Sequence, residues 1–322
     1  MFNLVLVFLA AVLAGAFLSI PVLWFLLVFR VGQAVREEGP KTHKKKAGTP
    51  TMGGIAIVLT VLTLMFILIN VDIDIKYASL IILFIGYALI GSFDDAIKIK
   101  NAHNAGLSAT NRLFAQMALS LAFGGVLLYL GFNEGVSGIL KDLHFNLPLL
   151  YLPLSVFIIV GAANAVNLTD GLDGLASGVL TAAFLALGVV AYQLQFFDEA
   201  VICLIAAGAS FSFLRVNFYP AEVFMGDVGS LSLGALLAGV ALLIHKELLL
   251  AVIGGVFVLE TLSVMLQVSS FKLFKKRIFK MSPLHHHFEL LGMPEIYVVL
   301  MFYACAAIFA GLGIWLSYIG AL

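Results

Sequence analysis

Ten apolar stretches of bilayer-crossing length, joined by short polar links, leave this chain little sequence from which to build anything else. They run approximately over 3–29, 51–70, 77–93, 113–133, 148–166, 175–195, 200–216, 229–244, 249–271 and 296–320. A helix needs about 20 apolar residues to cross the hydrocarbon core of a membrane, and backbone in lipid must satisfy its own hydrogen bonds. The pattern predicts an all-α integral membrane protein with ten transmembrane helices. The first stretch has no basic leader and is too long for a cleaved signal peptide, so it reads as a span. Hydrophobic residues make up 62% of the chain and charged ones 11%, far from the balance of a soluble domain. No link has room for a separate soluble domain, so residues 1–322 read as a single polytopic membrane domain.

Lysine and arginine fix the orientation. The links after the first, third, fifth, seventh and ninth spans carry Arg30, Arg36, Lys41, Lys44 to Lys46, Lys98, Lys100, Arg112, Arg215, Lys272, Lys275, Lys276, Arg277 and Lys280. The opposite links hold only Lys76, Lys141 and Lys246. Basic links stay cytoplasmic, so both termini are expected to be external and the odd links cytoplasmic. The formal net charge is zero, so no nucleic acid or other strongly charged soluble partner is expected. Cys203 and Cys305 fall inside spans, giving neither a disulfide framework nor metal-ligand spacing.

The acids carry the chemistry. Tyr77 to Phe93 is free of charge and ends in Asp94-Asp95, although a carboxylate costs ~2.5–3.5 kcal/mol at the centre of a membrane helix and less near its end. Asp170, Asp173 and Asp227 likewise adjoin expected cytoplasmic helix ends. Together they would line a catalytic cleft at the cytoplasmic face. Carboxylates without thiolates favour Mg²⁺, which takes oxygen ligands and often bridges to substrate phosphates. Helical neighbours lie ~100° apart, so Asp94 and Asp95 are expected to point in different directions. Asp94 shares a face with Lys98, four residues on. A water-solvated pair at a helix end is the plainer account of the two acids.

The remaining motifs lie on the same links. Thr49-Pro50-Thr51-Met52-Gly53-Gly54, behind a run of lysines, leaves backbone N–H groups free for an anion. In Asn164 to Gly174, Asp170 and Asp173 are one helical turn apart, and Gly171 and Gly174 let a ligand approach the backbone. Thr169 or Asp170 would also serve as an ordinary helix cap. Asp227, between glycines ahead of an apolar helix, suits a hard cation. Phe224 can stack a flat base, or simply sit at the interface as aromatics do. His285, His286 and His287 are consecutive, so their side chains diverge and chelation of one ion is disfavoured. Donation to phosphate oxygens is their better use. Glu260 lies within the ninth span with Gln267 on nearly the same face, either as a functional acid or as an interhelical hydrogen-bonding pair.

The strings Gly48 to Gly54, Asp94-Asp95, Asn164 to Gly174, Asn217 to Ser230 and Ser282 to Glu289 together resemble the phospho-N-acetylmuramoyl-pentapeptide transferase family. That family belongs to the polyprenyl-phosphate N-acetylhexosamine-1-phosphate transferases, and the likeness spans essentially the whole chain. The resemblance implies a bacterial plasma-membrane enzyme of peptidoglycan synthesis. It would transfer phospho-N-acetylmuramoyl-pentapeptide from a UDP-linked donor to undecaprenyl phosphate, with Mg²⁺, giving lipid I and UMP. It implies Asp227 as metal ligand and Asp94 and Asp95 as essential carboxylates. Lys46, Asp173, Asn217 and Phe224 would line the uridine pocket, with Thr51, Asn167 and Asp170 beside it and His286 and His287 towards the phosphates. A bent ninth helix, a polyprenyl groove in the membrane lipid and a homodimer are also implied. Arg112 stands where the family usually has lysine, which keeps charge but changes geometry, and it is left outside the expected site.

Three other classes fit less well. An ion-coupled transporter would place its carboxylates near the midplane on broken helices, often in repeated halves. An intramembrane aspartyl protease needs two acids meeting within spans. An N-acetylglucosamine-1-phosphate transferase acting on the same lipid differs only in its donor.

Overall fold

The computed structural model describes residues 3–28, 48–68, 74–101, 106–132 and 150–321. Lys46, expected in the uridine pocket, lies outside them. Among the described residues the chain forms twelve helices and no strand. They are α1 Leu4–Val28, α2 Gly54–Leu68, α3 Ile75–Asn101, α4 Ala109–Tyr129, α5 Tyr151–Thr169 and α6 Leu175–Gln193. There follow α7 Phe197–Asn217, α8 Gly226–Leu243, α9 Glu247–Ile253, α10 Gly255–Phe274, α11 Leu284–Leu290 and α12 Glu295–Tyr318. Nine are long and apolar enough to cross a membrane, and α2, with 15 residues, is a shorter apolar helix.

Two boundaries depart from the sequence expectation. The ninth stretch is interrupted at Gly254, between α9 and α10. Two adjacent glycines are poor helix formers, and a side chain on Gly255 would stand 2.6 Å from the Phe309 ring of α12. Helix α3 continues past Phe93 to Asn101, so Asp94 and Asp95 lie inside the helix rather than at its foot. Lys98, one turn on, pairs with both carboxylates within the same helix.

The architecture is organised around α8, of whose apolar window 94% is buried, against 22% for α1 and 28% for α10. Helices α3 and α5 make its most extensive contacts, with α2 also against it, while α6 and α7 form the next layer with α1 and α12 outside. Small residues allow this packing, because lipid offers no hydrophobic drive for helix association and close backbone approach must supply it. A Cβ on Gly54 of α2 would lie 2.4 Å from the Gly229 Cα, and one on Gly91 of α3 would lie 2.2 Å from the Asp227 carbonyl oxygen. One on Gly234 would lie 2.6 Å from the Ala163 Cα of α5. Three helices thus touch α8 at backbone distance near its first turns, and Asp227 sits in the first of them.

Candidate active site

Gly91 fixes the height of α3 against α8, so the residues one turn further along, Asp94 and Asp95, arrive at the start of α8. Ligand oxygens of Asp94, Asp95 and Asp227 lie within 4.8 Å of one another, and all three residues are buried. Asp94 and Asp95 do not diverge as expected. The N-terminus of α8 faces α3 broadly enough to receive both. Asp95 Oδ2 accepts the Val228 N–H at 3.3 Å, a capping contact to a helix end that favours negative charge. Asp94 Oδ1 accepts the Leu107 N–H at 2.8 Å. Asp227 Oδ1 accepts from Asn167 Nδ2 at 2.8 Å, and the same amide donates to Ser230 Oγ at 2.9 Å.

Two cations, Lys98 and Arg112, sit among the three acids. Lys98 Nζ stands 2.6 Å from Asp94 Oδ2, 2.9 Å from Asp227 Oδ2 and 3.8 Å from Asp95 Oδ1. Arg112 Nη1 stands 3.4 Å from Asp227 Oδ2 and 4.0 Å from Asp94 Oδ2. Thr51, buried and with no hydrogen-bond partner for Oγ1, flanks Gly226 together with Asp95 Oδ2. The link holding Thr51 is pinned to the link before α8: Phe224 N–H donates to Pro50 O at 2.8 Å, and Gly53 N–H to Phe224 O at 2.9 Å. An oxygen-only set of converging carboxylates fits a hard divalent cation. Lone pairs facing lysine, arginine and asparagine donors also suit a site that handles phosphate charge.

A profile described as glycosyl transferase family 4 matches residues 77–245, and a phospho-N-acetylmuramoyl-pentapeptide-transferase signature matches residues 46–58. The chain is 45% identical over 319 residues to the phospho-N-acetylmuramoyl-pentapeptide-transferase of Bacillus subtilis (strain 168), covering 98% of this chain and 97% of that relative. It is 46% identical over 295 residues to that of Geobacillus sp. (strain WCH70), covering 91% of each. The chain belongs to the phospho-N-acetylmuramoyl-pentapeptide transferase family. It is a transferase built on membrane helices.

Within this family member, the other expected residues fall into two groups. Asp170, directly after α5, faces Asp227 and the Gly226 N–H. Burial, then the Asp227 charge, raises its carboxyl from 3.8 to about 7 against the lowering effect of that N–H. Asp173 is buried and used in backbone ties: its Oδ2 accepts the Ala221 N–H at 3.0 Å, and its own N–H donates to Glu295 Oε1 at 2.9 Å. Asn217 is buried too, donating to Val223 O at 2.9 Å and accepting from Ser177 Oγ at 2.8 Å. Both hold the link that carries Phe224, which is half-buried.

The histidines lie on a short helix, α11, where the His285 and His286 rings do not diverge as expected but pack edge to face with centroids 4.2 Å apart, while each of the three has its own Nδ1 partner. His285 is buried, with Nδ1 3.2 Å from Glu260 Oε1 and Nε2 against Gly171. His286 Nδ1 is 2.9 Å from Glu289 Oε2, and His287 Nδ1 accepts the Lys280 N–H at 3.1 Å. Gln267 engages the backbone on both sides of its amide, accepting from Ile278 and Phe279 N–H and donating to Phe279 O at 3.0 Å. Sequence reasoning left Arg112, Ser230 and Glu295 outside the site. A basic residue of α4 near an expected cytoplasmic helix end was the available signal for Arg112. Ser230 and Glu295 carried none that pattern could show.

Proposed function

We propose that this chain transfers phospho-N-acetylmuramoyl-pentapeptide from its UDP-linked donor to undecaprenyl phosphate, releasing UMP and leaving lipid I. The convergence of Asp94, Asp95 and Asp227 with Lys98 and Arg112 carries this reading, in a chain whose relatives share it over nearly their full length. The lysine-rich links support ten spans with both termini external and the cleft at the cytoplasmic face of a bacterial plasma membrane. There the polyprenyl phosphate headgroup and a soluble nucleotide can meet. A homodimer is expected by family likeness.

Asp227, with Asp94 and Asp95, would hold Mg²⁺. When bound, the ion screens phosphate charge and favours nucleophilic approach to the pyrophosphate. Lys98, Arg112 and the His287 side chain supply further positive or donor groups. A phosphate monoester has its second pKa near ~6, so the lipid acceptor is largely dianionic at neutral pH and needs orientation more than deprotonation. Its oxygen attacks the sugar-bearing phosphorus, a new P–O bond forms, and the bond to the UMP oxygen breaks. Asp94 or Asp95 orients the acceptor or takes its residual proton. Asn167 keeps the Asp227 carboxylate aimed into the cluster, and Thr51 and the Phe224 link border the nucleotide. Because one phosphoanhydride replaces another, the reaction is reversible.

The deciding experiment offers purified protein the UDP-linked muramoyl-pentapeptide and UDP-N-acetylglucosamine in parallel, each with undecaprenyl phosphate and Mg²⁺. Lipid product from the muramoyl donor alone is expected, and labelled UMP should exchange back into that donor. Product from the glucosamine donor alone overturns the reading. UMP released stoichiometrically without lipid acceptor would replace direct displacement by a phospho-aspartate route.

A further inference from the structure

Glu260 is an acid placed inside a membrane helix and fully buried, on α10, which is otherwise among the least covered helices of the bundle. Among the described residues, its carboxylate pairs with no lysine or arginine. It takes three N–H groups from one short segment: Leu284 N–H at 2.6 Å, His285 N–H at 3.2 Å and the His285 ring at 3.2 Å. Seven residues on, along nearly the same face, Gln267 holds Ile278 and Phe279. Helix α10 therefore grips the returning chain through both Glu260 and Gln267.

The grip sets a tautomer. A carboxylate only accepts, so His285 Nδ1 carries a proton, and a ring with a single proton leaves Nε2 bare. That Nε2 is buried with no hydrogen-bond partner and stands against Gly171, where an added Cβ would lie 2.3 Å away. Gly171 adjoins Asp170, which faces Asp227. His287 has the opposite arrangement. The Lys280 N–H can only donate, so Nδ1 accepts and Nε2 bears the proton that a phosphate oxygen needs.

We propose that Glu260 is a positioning residue for the transfer reaction: by locking His285 as the Nδ1–H tautomer against the Gly171 turn, it sets where His287 Nε2–H meets the donor phosphates. This rests on the function proposed above. The acid acts through His285 and touches no substrate. Glutamine cannot replace it, because one of its two ends is a donor. Whichever way the amide turns, an N–H of Leu284 or His285 meets another N–H, or the ring must give up its Nδ1 proton. Aspartate keeps both acceptors at a shorter reach.

Full-length protein in lipid nanodiscs tests this on two independent readouts. In steady-state kinetics, Glu260→Gln should lower kcat about 10- to 100-fold, the scale for losing a residue that orients a functional histidine. The donor KM should change far less, and Glu260→Asp should recover part of the loss. Nitrogen-15 spectra of labelled histidine, with His285 assigned by its absence in His285→Gln, should show an Nδ1-protonated ring in the wild type. Glu260→Gln should shift that ring towards the Nε2–H form. Wild-type kcat in Glu260→Gln, a loss confined to KM, or an Nε2-protonated His285 in the wild type would overturn the proposal. The spectrum needs no substrate and no variant of Glu260, so it can overturn the proposal even if Glu260→Gln fails to fold, and Glu260→Asp then carries the kinetic test. A wild type that spares the muramoyl donor while keeping the Nδ1–H ring would instead count against the function.

Discussion

Lys98 Nζ lies 2.9 Å from Asp227 Oδ2, joining two helices across 129 residues of sequence. The same ammonium is 2.6 Å from Asp94 Oδ2, so one lysine occupies the space between carboxylates that would otherwise repel each other. A divalent cation seeking those oxygens meets a positive charge already there. Lys98→Met should therefore bind Mn²⁺ more tightly than wild type, by about ten-fold, since like charges a few Å apart repel strongly even at an effective dielectric near 20. Turnover should nevertheless fall by about a hundred-fold, the scale for losing one donor to transition-state charge. Spin-resonance titration with Mn²⁺ reads the first effect without any reaction. Weaker Mn²⁺ binding in the variant would show that Lys98 organises the carboxylates rather than competing with the ion.

Gly91 is the spacer on which the cluster depends. A methyl group there would stand 2.2 Å from the Asp227 carbonyl oxygen, a backbone atom that cannot swing aside. Gly91→Ala should push α3 from α8, costing about 1–3 kcal/mol as overpacking does, and should reduce Mn²⁺ binding as Asp94 and Asp95 move away from Asp227. Thermal melting and the same titration test both. By contrast Gly125→Ala on α4 meets no atom within 4 Å and should behave as wild type.

What the sequence showed and what it hid follow from the same packing. The apolar runs revealed every long helix, because length and hydrophobicity are local properties. Asp94, Asp95 and Asp227 stood out because acids are rare at membrane helix ends. Their mutual distance was not legible: a ~100° helical offset suggested divergence, whereas α8, brought to backbone contact by Gly91, receives both acids at once. Arg112 looked like a replacement outside the site, yet it lies 3.4 Å from Asp227. Glu260 was balanced between function and an interhelical hydrogen bond, and it does make such bonds, to the backbone and ring of the histidine helix. For the acid cluster the missing information was which small residues let α3 and α8 touch.

Asp170 gives the metal-free protein a pH dependence of known sign. Its carboxyl is raised from 3.8 to about 7, so the folded protein binds a proton there that the unfolded chain has released. The stabilising contribution is complete below about pH 4, falls steadily from there to about pH 7, and changes no further above it. Asp170→Asn lacks this slope. Melting temperatures of chelator-treated protein should drop more for wild type than for Asp170→Asn across that window, and parallel profiles would remove Asp170 from the account.

Arg112, on α4, reaches both Asp227 Oδ2 and Asp94 Oδ2, at 3.4 and 4.0 Å. Its planar guanidinium bridges two carboxylates where a lysine would present one compact charge. If charge balance is what the cluster needs, Arg112→Lys should keep turnover within about ten-fold of wild type, the equivalent of ~1.4 kcal/mol in the barrier. Arg112→Met should lose about a hundred-fold, on the scale of one missing electrostatic partner. The double variant Lys98→Met with Arg112→Met should then show a coupling beyond the sum of the single effects, as expected for two cations sharing the Asp94 and Asp227 oxygens. Strictly additive losses would mean that Arg112 acts elsewhere, on substrate rather than on the carboxylates.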